Sequence, residues 1–494
     1  MVFSSITFLF YFFPIVLALY YMFFFSRHIQ NIILLVASLF FYAWGEPKAV
    51  LIMMGSIIFN YLFGILADHA RRAEKYGKVV IAADVAVNIS ILFIFKYLVF
   101  TVQSINSFGG NLTVPNIALP IGISFYTFQA ISYVVDVYRG NGEVQKNPLN
   151  VGLYIAFFPQ LVAGPIVRYT TFAGQIWDRK ESLQKVSFGA CRFIVGLGKK
   201  VLLSNQMAIV ADQLISLQKT DGLSVAAAWI GAIAYMLQIY FDFSGYSDMA
   251  IGLGLMFGFK FERNFNYPYI SKSIGEFWRR WHISLSSWFR DYVYIPLGGS
   301  RVANRDLVIR NLAIVWLLTG IWHGANWTFL LWGVLNMVFI ITERLTEFEK
   351  NDRIPAALKH IYALLVICIG WVLFRADTLT DAGNYLGNMF NVFGHSLVDA
   401  NAFMFLKEFG IFFLAAILFS MPIASMMNGW LTKGIAVRKI IQTKKPFRTF
   451  LLQMEAPFTT LLSVLYPVVM IALLVVSVTY LVKGNYNPFI YFKF

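Results

Sequence analysis

The stretch WLLTGIWHGANWTFLLWG, residues 316–333, indicates the fold class and contains the first candidate for chemistry. No formally charged side chain occurs from Asn311 to Thr342, yet His323 lies in the middle of this apolar run. A titratable imidazole is costly at membrane depth unless it faces a partner or a cavity. We therefore predict a membrane-embedded segment in which His323 has a specific structural or chemical role.

Apolar runs of this kind recur along nearly the whole chain of 494 residues. Hydrophobic residues make up 59% of the sequence and charged residues 13%, which is too apolar for a soluble globular protein. Runs long enough for a bilayer, about 20 residues each, include 3–25, 79–99, 224–241 and 457–482. We predict an all-α, polytopic integral membrane protein with roughly 11 or more membrane helices plus re-entrant segments.

The net charge of +15 would suggest a nucleic-acid partner in a soluble protein. Here the basic residues cluster in short segments between apolar runs, so they indicate topology, and no nucleic-acid partner is predicted. The segments around Arg27 and Arg71, and the stretches 260–310 and 433–448, are expected at the cytoplasmic face. The uncharged loop 103–119 is then expected outside.

We interpret residues 1–494 as one membrane-embedded domain with four regions. These are N-terminal spans (1–115), a core (116–345), C-terminal spans (346–482) and an aromatic tail (483–494). The core concentrates Gly, Pro, Trp and Arg in apolar surroundings, notably at 118–140, 157–169 and 240–259. Irregular backbone at membrane depth is tolerated where it is buried in protein or lines a cavity. Broken or re-entrant helices are therefore expected in these three blocks.

The segment EFWRRWHISLSSWFRDYVYIPLGGSR, residues 276–301, is strongly basic and aromatic. It is expected to begin as a helix with Arg279, His282 and Ser286 on one face, because they are three and four residues apart. One interpretation is an amphipathic helix on the inner membrane surface that binds anionic lipid. The other is a basic mouth for a phosphorylated substrate, with arginine as the phosphate ligand.

His323 also has two interpretations. A buried histidine can tie membrane helices together through hydrogen bonds. A neutral histidine is equally the usual general base for removing a hydroxyl proton. The residues alone leave both open.

Two acids and three glycines lie in the block 240–259. For Asp242 and Asp248 we favour pairing with the many arginines of the core over a proton relay. For Gly252, Gly254 and Gly258 we favour close helix packing, since their spacing fails the dinucleotide fingerprint. The six histidines and two cysteines show no metal-ligand spacing, and zinc-helix, P-loop and serine-hydrolase motifs are absent. No metal site or bound cofactor is predicted.

Several of these blocks together resemble the membrane-bound O-acyltransferase family. FWRRWHISLSSWFRDYVYIPLGGSR (277–301), followed by GIWHGANWTFLLWG (320–333), is similar to the family's signature. The opening MVFSSITFLF and the blocks 119–140 and 238–259 resemble its bacterial branch that modifies polysaccharides. The likeness extends to about Ala376.

The resemblance implies a helical bundle with a funnel from each side meeting near His323. It implies that His323 is the catalytic base and that His282, on its cytoplasmic side, assists or orients. It further implies acetyl-CoA as the acyl-donor substrate at the inner face, whose phosphates Arg279, Arg280 and Arg290 would attract.

The last residues, PFIYFKF (488–494), resemble a short aromatic motif of the helper subunit in teichoic-acid D-alanylation. That likeness implies that Tyr491 is an acyl relay. The alternative is anchoring, because aromatic residues and lysine favour the headgroup layer. With basic 433–448 inside and one span beginning near Pro457, the tail is expected outside.

The predicted function is transfer of an acetyl group across a bacterial cytoplasmic membrane for O-acetylation of an alginate-like polysaccharide. The expected partners are membrane lipid and an extracytoplasmic SGNH-type acetyltransferase or another polysaccharide-modifying protein. D-alanyl transfer to teichoic acid and peptidoglycan O-acetylation are alternatives with the same fold. A polysaccharide exporter or flippase without chemistry is an alternative of another class.

Overall fold

The computed structural model describes residues 1–220, 222–302, 304–423, 465–484 and 486–490. Over these ranges the chain is helical and contains no β-strand, which confirms the all-α prediction. The α-helices are α1 Phe13–Met22, α2 Arg27–Gly45, α3 Ala49–Arg72, α4 Gly77–Leu92, α5 Leu98–Ser107, α6 Ile123–Arg139, α7 Pro148–Ala156, α8 Phe158–Leu161, α9 Tyr169–Asp178, α10 Leu183–Gly198, α11 Asn205–Thr220, α12 Val225–Met256, α13 Ile274–Arg280, α14 Ile283–Phe289, α15 Arg305–His323, α16 Trp327–Leu345, α17 Ala356–Arg375, α18 Leu379–Met389, α19 Ala400–Phe419 and α20 Leu465–Lys483. Among the described residues, π-helical turns occur at Phe8–Phe12, Phe93–Tyr97, Lys199–Ser204 and Arg290–Tyr294, and 3-10 turns at Pro268–Ile270 and Phe348–Lys350.

Eight of the described helices are long and apolar enough to cross a bilayer. They are α2, α3, the continuous pair α4–α5 (Gly77–Ser107), α12, α16, α17, α19 and α20. Helix α12 is largely buried inside the bundle, whereas α20 is almost entirely exposed, as expected for a central and a lipid-facing helix. The predicted number of about 11 or more is not established by these residues and stays a prediction.

Of the three blocks predicted to be broken, the second is irregular along its length and the first only at its start. In the first, α6 begins at Ile123 after Gly122 adopts a left-handed conformation with φ +77°. In the second, α7 ends at Ala156, the single turn α8 follows, and helix resumes only at Tyr169. The prediction for block 240–259 is largely wrong, because α12 runs unbroken for 32 residues through it to Met256.

The continuity of α12 follows from how its polar and small residues are used. Its acids are paired with basic side chains, so the helix does not need to open to solvate them. Close packing on α10 uses its glycines: a Cβ atom added at Gly252 would lie 2.5 Å from the Gly189 carbonyl oxygen. A Cβ atom at Gly245 would lie 2.8 Å from the Gly196 carbonyl oxygen. The packing role of Gly252 is thus confirmed.

The glycines at the end of the block have other roles. Gly254 approaches the ring of Phe261, where an added Cβ atom would lie 2.8 Å away. Gly258 has φ +85° and follows the end of α12, a left-handed position that glycine occupies without strain. The glycine triplet is therefore divided between packing and helix termination.

Polar contacts join two of the segments predicted at the cytoplasmic face to other loops of the chain. Arg27 at the start of α2 pairs with Glu181. The Asp291 side chain pairs with Arg168, and its backbone carbonyl oxygen accepts a hydrogen bond of 3.1 Å from Arg139 at the end of α6. These contacts hold loops between different helices together, and the side of the membrane on which they lie stays a prediction.

Candidate active site

Helices α15 and α16 form a hairpin with His323 at its tip. The two helices approach closely at paired glycines: a Cβ atom at Gly320 would lie 2.7 Å from the Phe329 carbonyl oxygen. One at Gly333 would lie 2.8 Å from the Trp316 carbonyl oxygen. Small residues permit such contact between membrane helices. His323 follows Gly320 by one turn, so this packing fixes the position of its backbone.

The imidazole of His323 is buried, with 5% exposure, and its tautomer is fixed by the fold. Its Nδ1 lies 2.8 Å from the carbonyl oxygen of Thr319. Because a carbonyl can only accept, Nδ1 carries the proton and Nε2 keeps a lone pair. The rings of Trp322, Trp332 and Phe374 surround it at centroid distances of 4.9, 4.8 and 5.4 Å. A held ring with a basic Nε2 is the geometry that general-base catalysis requires.

The prediction that Arg279, His282 and Ser286 share one helical face is wrong. Helix α13 ends at Arg280, and α14 begins at Ile283. His282 lies between them in the left-handed region, with φ +44° and ψ +54°. The helical spacing is therefore interrupted between them, and His282 is buried in the protein while Arg279 stays at the surface.

Asn264 replaces the helical hydrogen bonds that are lost at this break. Its carbonyl oxygen accepts from the N–H of Ile283 at 2.9 Å, and its Oδ1 accepts from the N–H of Ser284 at 3.1 Å. The same Oδ1 lies 3.2 Å from Nδ1 of His282. Since the bond from Ser284 identifies this atom as the amide oxygen, Nδ1 of His282 is its donor.

His282 thus repeats the arrangement of His323. It is 1% exposed, and within the described ranges its Nε2 has no hydrogen-bond partner. The indole of Trp322 is near both histidines, with centroid distances of 6.2 Å to His282 and 4.9 Å to His323. Phe243 of α12 packs on the other side of His282 at 4.6 Å. Two basic nitrogens are therefore held inside one aromatic cluster.

The three predicted donor-binding arginines are not all together. Arg279 and Arg280 line a surface depression with about 1330 Å³ of empty space. Arg279 pairs with Glu349 at 2.7 Å, and Arg280 pairs with Glu276 at 2.8 Å. Arg290 lies in a separate π-helical turn and pairs with Asp291 at 2.8 Å. A phosphate ligand in the depression would have to compete with the two glutamates.

Lys96 is a residue of the site that the sequence interpretation missed. It is 8% exposed, and its Nζ donates to the Trp322 carbonyl oxygen at 2.6 Å and to Ser124 Oγ at 3.2 Å. It lines a cavity of about 380 Å³ together with His323. The signal was available, because Lys96 is the single charged residue between Asp84 and Asp136 in the sequence.

We expect Lys96→Met to lower acyl transfer by roughly ten- to a hundred-fold, the size of effect that a small misplacement of a catalytic group has. The lysine caps the carbonyl end of α15, where a cation is favoured, so its loss should loosen His323. Turnover by purified protein at saturating donor is the measurement. Lys78→Met, at an exposed position in the same membrane-spanning segment Gly77–Ser107, is the control, and equal rates for both variants would contradict the assignment.

Tyr491 lies outside the described residues, but the segment before it, Tyr486–Ile490, is described. Phe489 and Ile490 are only 8% and 6% exposed. With Pro488 they line a cavity of about 600 Å³ whose wall includes Phe374, the neighbour of His323. The end of the described segment is thus buried in protein, and whether Tyr491 is a relay or an anchor stays a prediction. Residues 433–448 are also outside the described ranges, so the tail's side of the membrane stays a prediction.

Comparison with known proteins places this site in a family. The sequence profile of the membrane-bound O-acyltransferase family matches residues 144–375, which include both His282 and His323. The chain is also 39% identical to a probable alginate O-acetylase of Pseudomonas putida over the full length of both proteins. The chain therefore belongs to the membrane-bound O-acyltransferase family, and it is a multi-pass membrane acyltransferase.

Two further relatives represent other branches. The chain is 37% identical to a peptidoglycan O-acetyltransferase of Helicobacter pylori over 74% of each chain. It is 28% identical to a teichoic acid D-alanyltransferase of Bacillus subtilis over 51% of this chain and 68% of that one. These comparisons confirm an acyltransferase and give no support to an exporter without chemistry.

Proposed function

We propose that this enzyme takes an acetyl group from acetyl-CoA at the cytoplasmic face and delivers it to the outer face for O-acetylation of an alginate-like polysaccharide. The observation that carries the proposal is the hydrogen bond from Nδ1 of His323 to Thr319, which leaves Nε2 as a base. The full-length likeness to a probable alginate O-acetylase supports the acetyl group and the polymer class. A bacterial cytoplasmic membrane is the proposed location.

The proposed reaction is acyl transfer between a thioester and a hydroxyl. Nε2 of His323 accepts the hydroxyl proton as the oxygen attacks the acetyl carbonyl carbon. A tetrahedral intermediate forms, the carbon–sulfur bond then breaks, and the CoA sulfur takes the proton from His323 and leaves as the thiol. His282, whose ring lies 6.2 Å from the ring of Trp322, assists His323 or orients the thioester. No metal or bound cofactor takes part in this proposal.

The first acceptor in this proposal is the phenol of Tyr491, which then passes the acetyl group to an extracytoplasmic SGNH-type acetyltransferase. The burial of the preceding residues beside Phe374 supports this route. The single-domain organisation is proposed on similar grounds, because Lys96, His323 and Phe374 come from three different predicted regions and meet at one site.

The polymer is tested in the source organism. A deletion strain should secrete polysaccharide without base-labile acetyl esters, and the wild-type gene should restore them. If the wild-type gene instead restores acetylation of peptidoglycan and leaves the secreted polymer unchanged, the function named for the Helicobacter pylori relative is favoured. A D-alanyl ester on teichoic acid would favour the third branch.

We expect the double variant Arg279→Gln/Arg280→Gln to raise the KM for acetyl-CoA while changing kcat little. Cationic side chains at a mouth act mainly on encounter and binding of an anion. The difference from wild type should shrink as salt rises, since the Debye length falls from about 10 Å at 0.1 M to about 3 Å at 1 M. Initial rates over a range of donor and salt concentrations provide the measurement.

The reciprocal change sharpens this test. Glu276→Gln and Glu349→Gln remove the carboxylates that now pair with the two arginines, and should lower the KM. Arg290→Gln tests the third predicted donor-binding residue separately, because Arg290 lies outside the depression. A turnover defect in the double variant that does not respond to salt would contradict phosphate attraction.

A further inference from the structure

Asp242 and Lys200 form an ion pair deep in the bundle that the proposed chemistry does not use. Their charged atoms are 2.6 Å apart, and their side chains are 1% and 3% exposed. Asp242 lies within α12, and Lys200 lies in the π-helical turn that follows α10. A buried ion pair is weak evidence for stability, because the cost of desolvating its charges offsets their attraction. We therefore hypothesise a specific role for this pair. The question is what else the two side chains hold.

Both members of the pair bind the backbone of the C-terminal segment. The second carboxylate oxygen of Asp242 accepts a hydrogen bond of 2.8 Å from the N–H of Ile490. The ammonium group of Lys200 donates to the carbonyl oxygen of Pro488 and lies 5.9 Å from the centre of the Phe489 ring. The pair therefore satisfies one backbone donor and one backbone acceptor of the segment at once.

Other contacts lead the segment from its start to this pair. Tyr486 donates to Asp212 on α11. The next residue, Asn487, donates to the Ser4 carbonyl oxygen at 2.9 Å and accepts from Asn205 at 3.2 Å. The segment is thus bound at successive residues up to Ile490, by groups from α11, from the π-helical turn, from α12 and from the first residues of the chain.

The pair also connects the segment to the histidines. The residue after Asp242 is Phe243, whose ring packs against His282 at 4.6 Å. Ile490 is therefore bound at the level on α12 where that helix reaches the aromatic cluster. Tyr491 is the next residue in the sequence after Ile490.

Asp248 provides a natural comparison on the same helix. It pairs with Lys199 at 2.7 Å and with Arg192 at 2.9 Å, and shows no contact with the described residues 486–490. Lys199 and Lys200, which are consecutive in one π-helical turn, thus pair with two different acids of α12. One acid holds helices together, whereas the other also holds the tail.

We propose that the Lys200–Asp242 pair is an internal docking site for the chain's own C-terminal segment and positions it for acyl delivery. The proposal deepens the relay through Tyr491, and its functional half rests on that relay. The docking half rests on the contacts of residues 486–490 alone. Lys200 and Asp242 are positioning residues here, since neither touches the acyl group in this account.

Docking is tested by thiol accessibility, without any acyl chemistry. Ile490→Cys is introduced after Cys191 and Cys368 are replaced by alanine, and a water-soluble maleimide is added to purified protein. The buried thiol should react slowly, and Asp242→Asn or Lys200→Met should speed labelling by about ten-fold or more. Asp248→Asn should leave the rate unchanged, and Lys483→Cys, at an exposed position, should react in every background.

Function is tested with the charge exchange Asp242→Lys/Lys200→Asp. The exchange can restore an ion pair, but lysine at 242 cannot accept from Ile490 and aspartate at 200 cannot donate to Pro488. If the pair only stabilised the fold, the exchange would rescue polymer acetylation. We expect it to yield folded protein with an accessible tail and acetylation reduced at least about ten-fold, as in Asp242→Asn.

The outcomes separate this proposal from the relay. Slow labelling of the thiol at position 490 in both single variants would overturn docking, and full acetylation with a released tail would overturn its positioning role. If Tyr491→Phe acetylates normally while Asp242→Asn shows fast labelling, the relay is refuted. The functional half of the docking proposal is then refuted with it. Restored acetylation in the charge exchange would reduce the pair to a structural element and overturn the proposal.

Discussion

His323→Ala is expected to abolish acetylation of the polymer and to leave a folded, membrane-inserted protein. The side chain is the base in the proposed reaction, and loss of a general base typically slows a reaction by about 10² to 10⁴. The fold should survive because the α15–α16 hairpin is fixed by backbone packing at Gly320 and Gly333 rather than by the imidazole. Acetyl ester content of the polymer, at matched expression, is the measurement.

Two further variants make this result specific. His323→Gln can keep a hydrogen bond to Thr319 while offering no base, so it should be as inactive as alanine. The matched control is the same substitution at His360. Its Nδ1 also lies 2.9 Å from a backbone carbonyl oxygen, that of Ser271, but away from the aromatic cluster. Near-normal acetylation by His323→Gln would show that the histidine is structural and would refute the assignment.

Tyr491→Phe is expected to stop delivery to the polymer while preserving the protein's level in the membrane. Phenylalanine keeps the aromatic ring and removes only the hydroxyl, so an anchoring role predicts little change and a relay predicts failure. A phenyl ester is a more activated acyl donor than an alkyl ester, so a partner's nucleophile could take the group onward. Acetyl esters on the secreted polymer report the result.

The control for this variant is Tyr480→Phe, which removes a hydroxyl from helix α20 instead. It should have wild-type activity. In cells that lack the extracytoplasmic partner, the acetyl ester should accumulate on Tyr491 in the otherwise wild-type protein. Wild-type acetylation by Tyr491→Phe would leave His323 transferring to some other acceptor.

The sequence drew attention to the candidate site where one residue carried the signal. His323 stands alone in an uncharged run, and a lone titratable group at membrane depth is informative without any fold. Its tautomer follows from a helix end, since Thr319 is four residues earlier and the last carbonyls of a helix lack internal partners. That inference needed the helix to end at His323, which the sequence alone did not establish.

The structural features that could not be predicted from the sequence depend on contacts between residues far apart in the chain. Helical spacing suggested one face for Arg279 and His282, but Asn264, from the preceding loop, competes for the backbone and breaks the helix. The partner of Asp242 was expected among the arginines of the core, but it is Lys200. The bond from Asp242 to Ile490 spans 248 positions, and no local pattern encodes it.

The same limit applies to the π-helical turns. Lys96, Lys200 and Arg290 all lie in such turns, and single turns of this kind occur frequently at functional sites. Their sequences carry the ordinary periodicity of an α-helix, so only the structure reveals the extra residue. For Lys96 the lone charge was a sufficient signal of a specific role. No feature of the sequence indicated that its side chain points toward Trp322.

The most direct test of the account follows the acetyl group itself. Purified protein is mixed with acetyl-CoA carrying a labelled acetyl group, and the C-terminal peptide is then analysed by mass spectrometry. The account predicts a labelled acetyl ester on Tyr491 in the wild type and none in His323→Ala. Equal labelling of Tyr491 in both proteins, or its absence from a wild type that consumes acetyl-CoA through His323, would contradict it.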